Sequence, residues 1–331
     1  MIKQLLLHDG AAITELDQWQ KKREDIISRL YKTIGTPPVP RNTRDIEIVD
    51  EEPLKEYTRR KIRYIVGDND CIMAYVLIPN DVTFPAPAVV AMHQTVNSGK
   101  NEVAGIDGSK DFAYGDELAQ RGYIVIAPDY LAAGERIYPC AEAFESNPFY
   151  EKYPNWSMVG KNMEDSMAAV DVLYTLDYVD TNKIGAIGHS HGGHNALFAT
   201  AVDARIKVGV SNCGISVFSE EEYRLEWSLE EGYIYIPVLR KYFLEDLEPP
   251  FDIHEIAALI APRPFLNISS YFDKAYGNQE FLAEVGIQLY RVYKLYGKQN
   301  QFSYFMHGND HSFPYYARSL AYAWLDRFLK T

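Results

Sequence analysis

Apolar residues recur at mostly helical spacing through residues 11–34 (Ile13, Leu16, Trp19, Ile26, Ile27, Leu30) among charged neighbours, until Gly35-Thr36-Pro37-Pro38 ends the pattern. The spacing predicts an N-terminal helical extension over residues 1–45. From 46 to 82 the period shortens. Ile46-Glu47-Ile48-Val49, Lys61 to Val66 and Ile72 to Ile78 read as β-runs, separated by the turn-prone Glu52-Pro53 and Gly67-Asp68-Asn69-Asp70. Short turns between alternating runs predict antiparallel strands at the start of a sheet.

Beyond residue 85 the apolar runs become continuous. Ala88 to Met92, Tyr123 to Ala127, Ile184 to Ile187 and Val208 to Val210 alternate with helical segments near 113–121, 157–178 and 191–203. Strands that are apolar on both faces, with helices between them, predict a mostly parallel sheet covered on both sides. Phe265 to Ile268 and Phe302 to Phe305 add two more strands, and a last helix is expected from about Tyr315 to Phe328. The expectation is one α/β domain over 46–331. Two stretches interrupt the alternation, 131–156 and the charged, aromatic 214–254. Both follow strand ends, where open α/β sheets carry their sites, and 214–254 is expected to form a small cap.

Charge narrows the range of partners. Against 33 Lys and Arg stand 46 Asp and Glu, a net charge of −13, which leaves no basic face for phosphates. Nucleic acid is therefore not an expected partner. Three scattered cysteines, Cys71, Cys140 and Cys213, suit neither a disulfide framework nor a cysteine zinc site. The Leu5-Leu6-Leu7 run is too short for a signal or a membrane span, so a cytoplasmic location without membrane association is expected.

The chemistry centres on one strand–turn–helix. Lys183 to Ile187 runs into Gly188-His189-Ser190-His191-Gly192-Gly193, and an apolar helix follows. This is G-x-S-x-G. The glycines two positions either side permit a sharp turn that holds the serine hydroxyl above the sheet, at a helix N-terminus that favours developing negative charge. A serine hydroxyl needs a base, and the base an orienting carboxylate. Downstream, one strand ends at Tyr271-Phe272-Asp273 and the last at His307-Gly308-Asn309-Asp310-His311. Ser190, Asp273 and His311 thus stand in the order nucleophile, acid, base. The other carboxylates, Glu220 and Asp310, are respectively too far from a strand end and too close to His311 in sequence. The oxyanion hole is assigned to the amides of His191 and Thr95, with Gln94 as the alternative to Thr95. His93 is read as a pin for its loop.

The assembly resembles the α/β-hydrolase superfamily, in particular its dienelactone-hydrolase and acetyl-xylan-esterase-like branch, over roughly residues 45–331. The resemblance is carried by His93-Gln94-Thr95, Arg121-Gly122-Tyr123, Ala127-Pro128-Asp129-Tyr130, Gly134-Glu135-Arg136, the Ser190 elbow, Arg263-Pro264 and Asp310-His311-Ser312-Phe313. Dienelactone hydrolases use cysteine where Ser190 stands, so their substrate is not implied; related families make carbohydrate esters plausible ones. The implied activity is serine-dependent hydrolysis of small acyl or acetylated carbohydrate esters through an acyl-enzyme, with no cofactor and no metal.

Two other chemistries fit parts of the sequence. His189, His191 and His194 spell H-x-H-x-x-H, a zinc pattern, although Gly193 stands where that motif has aspartate. A prolyl-oligopeptidase-type peptidase is the other, disfavoured because about 45 preceding residues cannot form a propeller. Trp227 and Tyr235 are candidate substrate contacts. Arg136 is either an anchor for an anionic group or a loop brace. Lys161, Glu164 and Asp165 read as a solvated first helical turn. The expected partner is a small-molecule ester, with homo-oligomerisation left open.

Overall fold

The computed structural model describes residues 2–218, 223–276 and 280–331. Its elements in chain order begin with the small hairpin β1 (Leu7–His8) and β2 (Ala11–Ala12), helix α1 (Leu16–Ile34) and strands β3 (Arg44–Pro53), β4 (Tyr57–Val66), β5 (Asp70–Pro79) and β6 (Ala86–Met92). Then come α2 (Lys100–Val103), α3 (Tyr114–Gln120), β7 (Ile124–Pro128), α4 (Asn147–Lys152), α5 (Met158–Tyr174), β8 (Val179–His189), α6 (His191–Val202) and β9 (Val208–Asn212). The C-terminal third holds α7 (Arg240–Leu244), α8 (Ile253–Ala258), β10 (Phe265–Ser270), α9 (Glu280–Leu295), β11 (Phe302–His307) and α10 (Tyr315–Leu329).

Nine strands form one sheet in the order β11-β10-β9-β8-β6-β7-β5-β4-β3. Strands β6 to β11 pair in parallel, and β3, β4 and β5 join antiparallel at one side, with β5 antiparallel to β7. The alternation along β6 shows why both faces need cover. Ala88, Val90 and Met92 face a core that includes Ala168 and Val172 of α5 and Ala196 of α6. Val89 and Ala91 face the opposite core with Leu118 of α3 and Leu325 of α10.

Helix α1 is integral to the fold. Trp19, Ile26 and Leu30 are fully buried in a third core shared with α8, α9 and the cap residues Phe218, Trp227 and Phe243. Helix α9 is not anticipated above, and neither is α8. The segment 214–254 forms short 3-10 turns at Arg224–Ser228 and Pro237–Leu239 followed by α7. Glu220 lies outside the described residues. No described helix is long and apolar enough to cross a membrane.

Candidate active site

The chain turns from β8 into α6 at Ser190 with φ 55° and ψ −120°, a backbone conformation that side chains disfavour. Close backbone packing enforces it. A Cβ on Gly188 would lie 2.0 Å from the Gly192 carbonyl oxygen, and one on Gly192 would lie 1.9 Å from that of Met92 at the end of β6. Only glycine fits at either position. This close approach seats the start of α6 beside the loop His93-Gln94-Thr95. The first amides of α6 have no acceptor within their own helix and so face outward with partial positive charge.

The loops after β10 and β11 meet above the same strand ends. His311 Nδ1 lies 2.9 and 2.8 Å from the two carboxylate oxygens of Asp273. The ring of His311 sits 4.7 Å, between centroids, from that of His189, the residue before Ser190. Asp310 is turned elsewhere. It accepts the backbone N–H of His311 at 2.7 Å and pairs with Lys274 at 2.6 Å, and this pairing holds its carboxyl below the usual range. Ser270 donates to the carbonyl of Asn309, tying the two loops together.

Asn212, at the end of β9, contributes in a way the sequence reading missed. Its carbonyl accepts the Ser190 N–H at 2.9 Å. Its side-chain amide lies 3.0 Å from the Ser312 carbonyl and 2.6 Å from His189 Nδ1. Cys213, the next residue, is buried with its thiol donating to the Ser312 carbonyl at 3.9 Å and within 4.8 Å of an Asp273 carboxylate oxygen. An amide and a thiol at an apolar strand end carry no motif that would have marked them.

His93 pins its loop as expected: Nδ1 is 2.7 Å from the Gln94 carbonyl and Nε2 accepts the Tyr130 N–H at 3.1 Å, which makes it a neutral ring with its proton on Nδ1. The Gln94 side chain donates to Glu102 at 2.8 Å, and Thr95 lies beside the Tyr235 hydroxyl.

The three elbow histidines do not form a zinc site. Among the described residues the group whose ligand atoms converge is Cys213, Asp273 and His311. His189 stacks on Phe112 with centroids 4.6 Å apart, while His191 stacks on His194 at 5.1 Å on the other side of the elbow. Burial drives the pKa of His189 and His191 well down, and that of His194 to about 3, so all three are neutral.

Cap aromatics roof these rings. Tyr233 lies 5.1 Å from His191, and Trp227 and Tyr235 lie 5.0 and 5.2 Å from His194, centroid to centroid. Trp227 is only 4% exposed and packs against Phe218, so it belongs to the cap's core and is not an open contact surface. Arg136 is the brace: its guanidinium, 3% exposed, pairs with Asp165 at 2.7 Å and Asp70 at 2.5 Å and donates to the Asp129 carbonyl at 2.9 Å. The same cluster overturns the solvated reading of the α5 start. Lys161 is buried and pairs with both Asp165, itself buried, and Asp70, while Glu164 pairs with Arg41 at 2.8 Å.

An abhydrolase family profile matches residues 5–307. This chain belongs to the abhydrolase family. Among abhydrolase relatives it is 30% identical to YtaP of Bacillus subtilis (strain 168), named as a hydrolase, over 74% of this chain and 80% of that one. It is 24% identical to the carbohydrate esterase MZ0003 from an unknown prokaryotic organism, over 88% of this chain and 78% of that protein. A solved structure titled as a glucuronoyl esterase from Solibacter usitatus has the same fold, with a TM-score of 0.75 at 19% identity over 98% of this chain and 97% of that one.

Proposed function

We propose that this abhydrolase is a carboxylic-ester hydrolase acting through an acyl-enzyme on Ser190. The observation that carries the reading is the His311–Asp273 pair, with its ring next to the residue that precedes a serine in a strained elbow. In this reading Ser190 Oγ attacks the ester carbonyl and His311 Nε2 takes its proton, later returning it to the leaving alcohol. Asp273 holds the Nδ1–H tautomer. The His191 amide, with that of Thr95 or Gln94, stabilises the oxyanion. A water then repeats the sequence to release the acid.

The substrate class we propose is a small acyl or acetylated carbohydrate ester. Proteins named as a carbohydrate esterase and a glucuronoyl esterase support it, and so do the half-buried Tyr235 and, from the 131–156 segment, Phe144, whose aromatic faces suit the C–H faces of a sugar ring. Three free cysteines suit the reducing, cytoplasmic setting we propose with it. A fluorophosphonate probe followed by peptide mass spectrometry tests the chemistry. One adduct per chain on the peptide containing Ser190 is expected; an unmodified Ser190, or labelling confined to another serine, overturns it.

A further inference from the structure

The ends of β9, β10 and β11 bring three different metal-ligating side chains into one place. Cys213 Sγ, a carboxylate oxygen of Asp273 and a ring nitrogen of His311 all lie within 4.8 Å of one another. Cys213 and Asp273 are buried, while the His311 side chain is 17% exposed and gives access from solvent. The thiol donates to the Ser312 carbonyl oxygen at 3.9 Å. The esterase mechanism has no use for a thiol there.

We propose that Cys213, Asp273 and His311 form an inhibitory site for a thiophilic divalent cation of the zinc type, a reading that rests on His311 being the catalytic base. Ligand chemistry selects the ion. A thiolate and an imidazole favour zinc over magnesium or calcium, which want several oxygens, and the site offers one carboxylate. Ligand bonds of about 2.0–2.3 Å in tetrahedral geometry put ligand atoms roughly 3.3–3.5 Å apart. The His311–Asp273 contact of 2.8 Å must open slightly, and Sγ, within 4.8 Å of the other two ligand atoms, must close to roughly 3.5 Å. Charge also closes: a dication, a thiolate and a carboxylate sum to zero, which suits a buried position. The fourth position is left for water on the exposed side of His311.

Binding would switch off the base by moving a proton. The Cys213 thiol releases its proton to solvent. The metal takes the Nδ1 lone pair, so the single proton of the neutral ring sits on Nε2. That nitrogen then has no lone pair to accept the Ser190 proton, and Asp273 is held by the metal instead of the imidazole. No bond to substrate forms or breaks.

The test uses two readouts on the full-length enzyme in a non-chelating reductant. Titration with Co²⁺ should give a near-ultraviolet thiolate-to-cobalt charge-transfer band that Cys213→Ser loses, although Cys71 and Cys140 remain. Titration with Zn²⁺ should inhibit p-nitrophenyl acetate hydrolysis and be reversed by EDTA. With each protein scaled to its own metal-free rate, half-inhibition in Cys213→Ser should need at least ~10-fold more Zn²⁺, the lower end of the cost of disturbing even a metal ligand's support. Cys213→Ala replaces the serine variant if that does not fold. Equal inhibition of wild type and variant overturns the proposal, and so does a cobalt band without loss of activity. Ser190→Ala keeps all three ligands: full turnover in that variant defeats the esterase mechanism while the cobalt band persists, so the two readings fail separately.

Discussion

The Ser190 N–H is held by the Asn212 carbonyl at 2.9 Å, and the Asn212 side chain reaches the Ser312 carbonyl, one residue beyond His311, at 3.0 Å. One residue of β9 thus spans the proposed nucleophile and base. Asn212→Ala keeps the first bond and loses the second together with the His189 contact, so it should act through placement of His311 and of the His189 ring against it. We expect kcat to fall ~10–100-fold with KM within about two-fold, as for a small misplacement of reacting groups. A raised KM with unchanged kcat would instead make Asn212 a substrate contact.

Strain at the elbow separates two variants that both remove the hydroxyl. Ser190→Ala and Ser190→Gly should each lose turnover by a factor approaching ~10⁶. With φ at 55°, only glycine relieves the backbone, so Ser190→Gly should be more stable than Ser190→Ala by about 1 kcal/mol in urea unfolding. Equal midpoints would mean that the turn is not strained.

The two acids near His311 should behave differently. Asp273→Asn keeps the shape but favours the wrong imidazole tautomer, for which the expected loss in kcat is ~10⁴-fold. Asp310→Asn keeps an amide oxygen for the His311 N–H and loses only an exposed ion pair with Lys274, so kcat should fall by less than about ten-fold. Steady-state kinetics on both variants would expose the reverse order.

Trp227 and Tyr235, read alike in the sequence, now diverge. Trp227→Ala empties a buried site and should cost ~3–5 kcal/mol in stability. Tyr235→Phe removes the hydroxyl of a half-buried ring beside Thr95, and should shift KM or acyl preference while changing thermal stability little. A flat substrate profile in Tyr235→Phe would leave the roof a structural element.

Burial lowers the folded pKa of His194 from 6.5 to about 3, so between these values the unfolded chain carries the extra proton. Stability therefore falls as pH drops through this window, by ~1.4 kcal/mol per pH unit for each such group. His191 and His189 push in the same direction. In denaturant unfolding from pH 6 to 4, His194→Asn should show a slope shallower by about one proton. Parallel curves for variant and wild type would contradict the assignment.

The elbow and the order of Asp273 and His311 were legible because each sits at the end of a strand with a strong apolar signature. The site's supports were not. Lys161 and Asp165 look like an ordinary charged helix start, and their burial depends on Arg136, from the loop after β7, and Asp70, at the start of β5. Trp227 shows its role only once Phe218 and Phe243 are seen around it. Asn212 and Cys213 both reach the Ser312 carbonyl about a hundred positions further along, which no local spacing encodes.

Helix α1 joins the core through partners made more than two hundred residues later: Arg23 bonds the carbonyls of Leu259 and Ala261, and Arg29 pairs with Glu255. During synthesis, α1 therefore emerges long before α8 and α9, with Trp19, Ile26 and Leu30 uncovered until they arrive. Closure of this long loop makes α1 one of the last parts to settle, and gives a nascent-chain chaperone an apolar stripe to hold meanwhile.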